Sequence, residues 1–183
     1  MIELQNALNY AKDNISKAVE ITQYSSNKPV NVNLFNHTIP EASKESLMID
    51  NIFWFPNIKS LYGAIITNPK SQYIFCNEVY DCVAIGGTII DKNQRTHIFG
   101  AHVYECMLMF QMQTIIDEIL KYGLIPKKAL YSPREDTLSW EKGQKTLERH
   151  FSETTTILRD KENRAEMIIG IEGIILNDKF YNY

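Results

Sequence analysis

Two nine-residue apolar runs, Cys82–Ile90 and Thr96–Tyr104, stand on either side of the polar stretch Asp91-Lys92-Asn93-Gln94. Each run is too short for an average helix and rich in the β-branched and aromatic residues that suit a pleated surface. Two such runs joined by a short polar turn predict an antiparallel β-hairpin.

Tyr62–Thr67 and Tyr73–Phe75 are further β-rich runs. From about Glu105 to Tyr122, Leu108, Met112, Ile115, Ile116 and Ile119 fall on one helical face, with Gly123 placed as a C′ residue and Pro126 beyond it. Lys128–Ser132 reads as a strand, Ser139–Phe151 as a short helix and Thr154–Leu158 as a strand. Met167–Leu176 reads as a last strand pair or one long strand. The expected class is α+β, a mainly antiparallel sheet from residue 62 onward flanked by helices.

Upstream, Leu4, Leu8, Ala11, Ile15, Ala18 and Val19 have the three-and-four spacing of an amphipathic helix over about Glu3–Ile21. Ser25-Ser26-Asn27-Lys28-Pro29 breaks it, Val30–Leu34 alternates as a half-buried strand would, and Asn36–Asp50 reads as loop with a short helix. Aromatics as dense as Phe53-Trp54-Phe55 are core before they are a binding patch. With 183 residues and 44% hydrophobic side chains, one core is expected: residues 1–60 form a helical extension packed on a 62–177 body.

Several function classes recede on composition. Nineteen basic against 22 acidic residues, net −3, give no electrostatic footprint for a phosphate backbone. The N-terminus has neither the basic nor the apolar region of a secretory signal. The longest uncharged apolar stretch, Cys106–Ile116, is too short to span a bilayer. Three cysteines, an odd number in a chain large enough to fold without staples, point to reduced thiols and a cytoplasmic protein.

The chemistry-bearing residues gather in the hairpin. If its loop is Asp91, Lys92 and Asn93, Ile90 faces Gln94 and Cys82 falls opposite His102, with Cβ atoms about 5 Å apart. A one-residue error would put the two on opposite faces. His97, an odd number of residues from His102, should point to the other side. A Cys beside a His can exist as thiolate and imidazolium, and the thiolate is the nucleophile. The bland alternative is a small buried Cys82 and a hydrogen-bonded sheet histidine. Gly86 and Gly87 suggest a bulge or a close backbone approach. Cys76, Cys82, His97, His102 and Cys106 lie in one segment but lack the close cysteine pair of structural zinc sites, so no metal is expected. His37 and His150 read as surface residues, and no nucleophile elbow, phosphate loop or dinucleotide fingerprint is present.

Cys82-Val83-Ala84, followed after a turn by Gly100-Ala101-His102 and then by Ile115-Ile116-Asp117-Glu118-Ile119-Leu120-Lys121-Tyr122-Gly123, resembles the chemoreceptor glutamine deamidases of the CheD type. Their fold is shared with the catalytic domain of cytotoxic necrotizing factors. The resemblance covers roughly Tyr62–Asn177, with Tyr80-Asp81 standing where the family has Gly-Ser and Cys76 about where it has a hydroxyl residue. It implies a CheD-like sandwich, Cys82 as nucleophile and His102 as base. It also implies conversion of Gln to Glu on a protein partner, no cofactor, and action in a cytosol, its own or that of a host receiving an effector or toxin. A catalytically silent protein-binding module of the same fold, a transglutaminase and a cysteine protease remain open.

Overall fold

The computed structural model describes residues 1–14, 19–20, 32–37, 47–49, 52–55, 61–67, 69–79, 82–104 and 108–183, with backbone alone at 19–20, 32–37, 47–49, 53–55, 61–62 and 77–78. In chain order the elements are α1 (Ile2–Asn14), β1 (Val19–Glu20), β2 (Val32–His37), β3 (Leu47–Ile49), β4 (Ile52–Phe55), β5 (Leu61–Ile66), β6 (Tyr73–Val79), β7 (Cys82–Ile90) and β8 (Thr96–Tyr104). There follow α2 (Leu108–Lys121), β9 (Ile125–Ser132), α3 (Trp140–His150), β10 (Glu153–Thr156), β11 (Ala165–Gly170), β12 (Gly173–Leu176) and β13 (Lys179–Asn182). The fold is α+β, with two mostly antiparallel sheets. One sheet runs β1-β3-β4-β6-β11-β12-β13 and the other β10-β9-β7-β8-β5-β2.

Side-chain parity decides the layering. Even-numbered residues of β7 and β8, among them Cys82, Ala84 and Ile98, join Ile74, Cys76, Met167, Ile169 and Ile174 of the other sheet in a shared core. Odd-numbered residues, among them Val83, Ile85, Phe99, Ala101 and Val103, pack against Leu108, Met112, Ile115 and Ile119 of α2 and Leu147 of α3. Leu4, Leu8 and Ala11 of α1 cover the far face of the seven-stranded sheet through Ile52, Tyr73, Phe75, Ile168 and Ile175. The molecule is therefore layered helix, sheet, sheet, helix, and β7 and β8 are buried on both faces as their unbroken apolar runs require.

Both sheets come close because β7 and β8 carry glycines where they face each other. Gly86 pairs with Gly100, and a Cβ on either would overlap the side chain of Ile169. At Gly87 the crowding is with backbone: a Cβ there would overlap the Lys128 carbonyl of β9, next to a bulge between Thr88 and Ile89. After α2, Gly123 (φ 67°) closes the helix, its N–H donating to the Leu120 carbonyl at 2.9 Å and that of Leu124 to Ile119 at 3.3 Å. This is the Schellman arrangement expected of a C′ glycine.

The upstream expectations need correction. α1 covers Ile2–Asn14, Val19–Glu20 is strand in place of the expected helix, and β1 to β4 place strands in both sheets, so among the described residues of 1–60 helix is confined to the start. The short helix expected within Asn36–Asp50 gives way at Leu47–Ile49 to a strand, and the remainder of that stretch past His37 lies outside the described residues. Ile52 is buried under α1; the side chains of Phe53, Trp54 and Phe55 lie outside the description. Among the described residues, no helix is long and apolar enough to cross a membrane.

Candidate functional site

The hairpin forms between the expected strands, but two residues out of the expected register. Cys82 pairs with Tyr104, and His102 with Ala84. The turn is five residues long, 91–95, because Asp91 organises it. Its carboxylate accepts the N–H of Asn93 at 2.8 Å and of Arg95 at 2.9 Å. Gln94 takes the left-handed conformation (φ 62°), and the Asp91 N–H reaches the Arg95 carbonyl at 3.1 Å. A two-residue slip preserves parity, so Cys82 and His102 still share the inter-sheet face, now as diagonal neighbours. Diagonal Cβ atoms lie roughly 7 Å apart, within reach of a thiol and an imidazole.

Cys82 is 4% exposed and His102 1%. Tyr104, directly across from Cys82, donates its backbone N–H to the Gln111 side chain of α2 at 2.6 Å. That bond fixes the end of β8 against the helix. His97 faces the other way, as its parity requires. It is buried beside Asp91, with Nε2 3.6 Å from the carboxylate, and burial pulls its pKa below the ordinary imidazole value despite the acid nearby. Cys76 sits across the sandwich in β6, where burial pushes its thiol up to about 12. Such a thiol is inert. Cys106 lies outside the described residues. No group of three or more Cys, His, Asp or Glu among the described residues could hold a metal ion.

A residue that sequence reasoning missed stands beside Cys82. Arg159 follows β10 and is 4% exposed. Its guanidinium donates to the Cys82 carbonyl at 2.7 Å, the Val79 carbonyl at 2.9 Å, the Asn163 carbonyl at 2.7 Å and, at 3.4 Å, the Ser132 carbonyl. Those carbonyls belong to the start of β7, the end of β6, a loop and the end of β9. One side chain thus ties both sheets together at the Cys82 end of the sandwich. Burial pulls its pKa down to about 10, with Arg134 adding to the effect and Cys82 opposing it, so it stays a cation at neutral pH. In sequence, Arg159-Asp160-Lys161-Glu162-Asn163-Arg164 looks like solvated turn, and no spacing marks its first residue as buried.

At the other end of β7, a cleft of about 540 Å³ is lined by Thr88, Ile90, Thr96, Lys127, Lys128 and Tyr183 among others. Cys82 and His102 take no part in it.

No protein-family model and no curated protein matches the chain. Among solved structures it is similar to the crystal structure of the C-terminal domain of CNFy from Yersinia pseudotuberculosis, with a TM-score of 0.33 and 8% identity over 87% of this chain and 76% of that one. Similarity at that level carries over neither fold nor activity.

Proposed function

We propose that the chain is a cysteine-dependent amidohydrolase that converts a Gln side chain on a partner protein to Glu in a cytosol, with Cys82 as nucleophile and His102 as acid and base. The observation that supports this reading most is that Cys82 and His102 share the inter-sheet face of one hairpin, two positions apart in register, at the end where Arg159 holds the Cys82 backbone. The resemblance of Cys82-Val83-Ala84 and Gly100-Ala101-His102 to the glutamine deamidases points the same way.

In this mechanism His102 takes the thiol proton, and the Cys82 thiolate attacks the carbonyl carbon of the Gln amide, forming a C–S bond. Backbone N–H groups around Cys82 hold the oxyanion. As the tetrahedral intermediate collapses, the C–N bond breaks, and the His102 imidazolium gives its proton to the leaving nitrogen, which departs as ammonia. Neutral His102 then takes a proton from water, whose oxygen attacks the thioester. The C–S bond breaks, the imidazolium returns the proton to sulfur, and the side chain leaves as Glu. An amine in place of water would give transglutamination by the same acyl-enzyme.

The burial of both side chains favours a second reading, a protein-binding module in which Cys82 and His102 are only core. Mass spectrometry of candidate partner proteins, before and after incubation with the chain, separates the two. Amide-to-acid conversion at one Gln, lost by orders of magnitude in Cys82→Ser and His102→Ala proteins that keep their fold, is the expected result. Equal outcomes for wild type and Cys82→Ser on a partner that binds would leave the binding module.

A further inference from the structure

We infer that Arg159 is the positioning residue of the site, a buried cation that fixes the backbone of Cys82 and favours the thiolate form of its sulfur over the thiol. The inference rests on Cys82 being the reactive thiol, and it adds a group that the deamidase resemblance does not supply.

Geometry makes the case. A buried guanidinium needs its donors satisfied and its charge balanced. Hydrogen bonds to four backbone carbonyls satisfy the donors, but carbonyls bring only partial charge. Among the described residues, Arg159 forms no ion pair with a carboxylate. The neighbouring acid, Asp136, is already engaged by Arg134 at 2.7 Å and by Lys161 at 3.5 Å. Among the described residues, the group that can supply an anion to Arg159 is the Cys82 thiol, on the residue whose carbonyl the guanidinium grips at 2.7 Å. The titratable and charged groups around Cys82 among the described residues are Arg159 from the segment after β10, His102 and Tyr104 from β8 and Cys76 from β6, with Arg134 and Asp136 behind Arg159. Of the two permanent cations in this set, Arg159 and Arg134, Arg159 grips the Cys82 carbonyl at 2.7 Å while Arg134 engages Asp136.

A structural arginine and a thiolate-holding arginine differ in what their loss does to the thiol. An opposite charge within a few ångströms shifts a titration by about 1–3 pH units. The experiment follows the ultraviolet absorbance of the thiolate against pH, taking Cys82→Ser protein as the blank, in wild type, Arg159→Gln, Arg159→Lys and His102→Ala. The expected wild-type midpoint lies below the ordinary thiol value of about 8.5. Arg159→Gln should raise it by about 1–3 units, Arg159→Lys should restore most of the shift, and His102→Ala should leave the midpoint below the ordinary value. A folded Arg159→Gln protein with an unmoved midpoint overturns the inference. Should Arg159→Gln fail to fold, a midpoint that returns to the ordinary value in His102→Ala overturns it instead. Gln-to-Glu conversion with an Arg159-independent midpoint would refute this inference and leave the deamidase standing. An Arg159-dependent midpoint without conversion would do the reverse.

Discussion

Adding one methyl group at Gly87 or at Gly100 separates two kinds of close approach that the fold depends on. At either site alanine gains about 0.8 kcal/mol from a buried carbon and about 0.4–1 kcal/mol from a stiffer unfolded chain. At Gly100 the new Cβ would meet Ile169 Cδ1 and Ile74 Cγ2, each 2.7 Å away. Side chains can give way there, at the roughly 1–3 kcal/mol of a modest overpacking, so Gly100→Ala should lie within about 1–2 kcal/mol of wild type. At Gly87 the obstacle is the Lys128 carbonyl, and relief means parting β7 from β9 where Gly87 pairs with Ala129. Leaving even two buried backbone groups unpaired costs about 2–6 kcal/mol, so net of the same gains Gly87→Ala should lose about 2–3 kcal/mol. With a urea slope of roughly 2–3 kcal/mol per M, that loss lowers the unfolding midpoint by about 1 M, and Gly100→Ala moves it by less than that. Equilibrium urea unfolding by circular dichroism reads both. A Gly87→Ala midpoint at or above that of Gly100→Ala would refute the placement of β9 against β7.

Two further outcomes follow from single sites. Burial holds the His97 pKa below the ordinary 6.5 in the folded protein, the Asp91 carboxylate opposing this and Arg95 adding to it, so the unfolded chain binds more protons as pH falls below 6.5; stability should be full above that pH and decline beneath it, and His97→Gln should flatten the decline that sets in below pH 6.5 in urea titrations. Gly123→Ala meets no atom within 4 Å but forces alanine to φ 67°, so thermal unfolding should show a loss of about 1–2 kcal/mol, and an unchanged melting temperature would contradict the left-handed cap.

The strands carrying the site were legible to the residue because β7 and β8 are continuous apolar runs with a polar turn between them. Their register was not. It depends on the Asp91 carboxylate capturing two loop N–H groups, which turned an expected three-residue turn into five, and the shared face of Cys82 and His102 survived because the slip was even. β13 escaped notice although Asn177-Asp178, both at positive φ (47° and 63°), form the two-residue turn before it. The N-terminal strands were harder, since β3 and β4 are three and four residues long, and β3 joins the sheet through β4, which itself pairs with distant β6. Arg159 was invisible for a different reason. A charged residue after a strand is ordinarily solvated, and only the convergence of β6, β7, β9 and the Asn163 loop on one spot creates the four carbonyls that take it out of water.

Site-resolved alkylation tests most directly whether Cys82 is an activated thiol paired with His102. Native protein is treated with iodoacetamide across a pH series, and modification at each cysteine is read by peptide mass spectrometry. The prediction is that Cys82 reacts below the pH at which ordinary thiols do, that His102→Ala slows this reaction, and that Cys76, its thiol pushed up to about 12, stays unmodified until the protein unfolds. Cys82 reacting only on unfolding, alongside Cys76 and indifferent to His102, would contradict it.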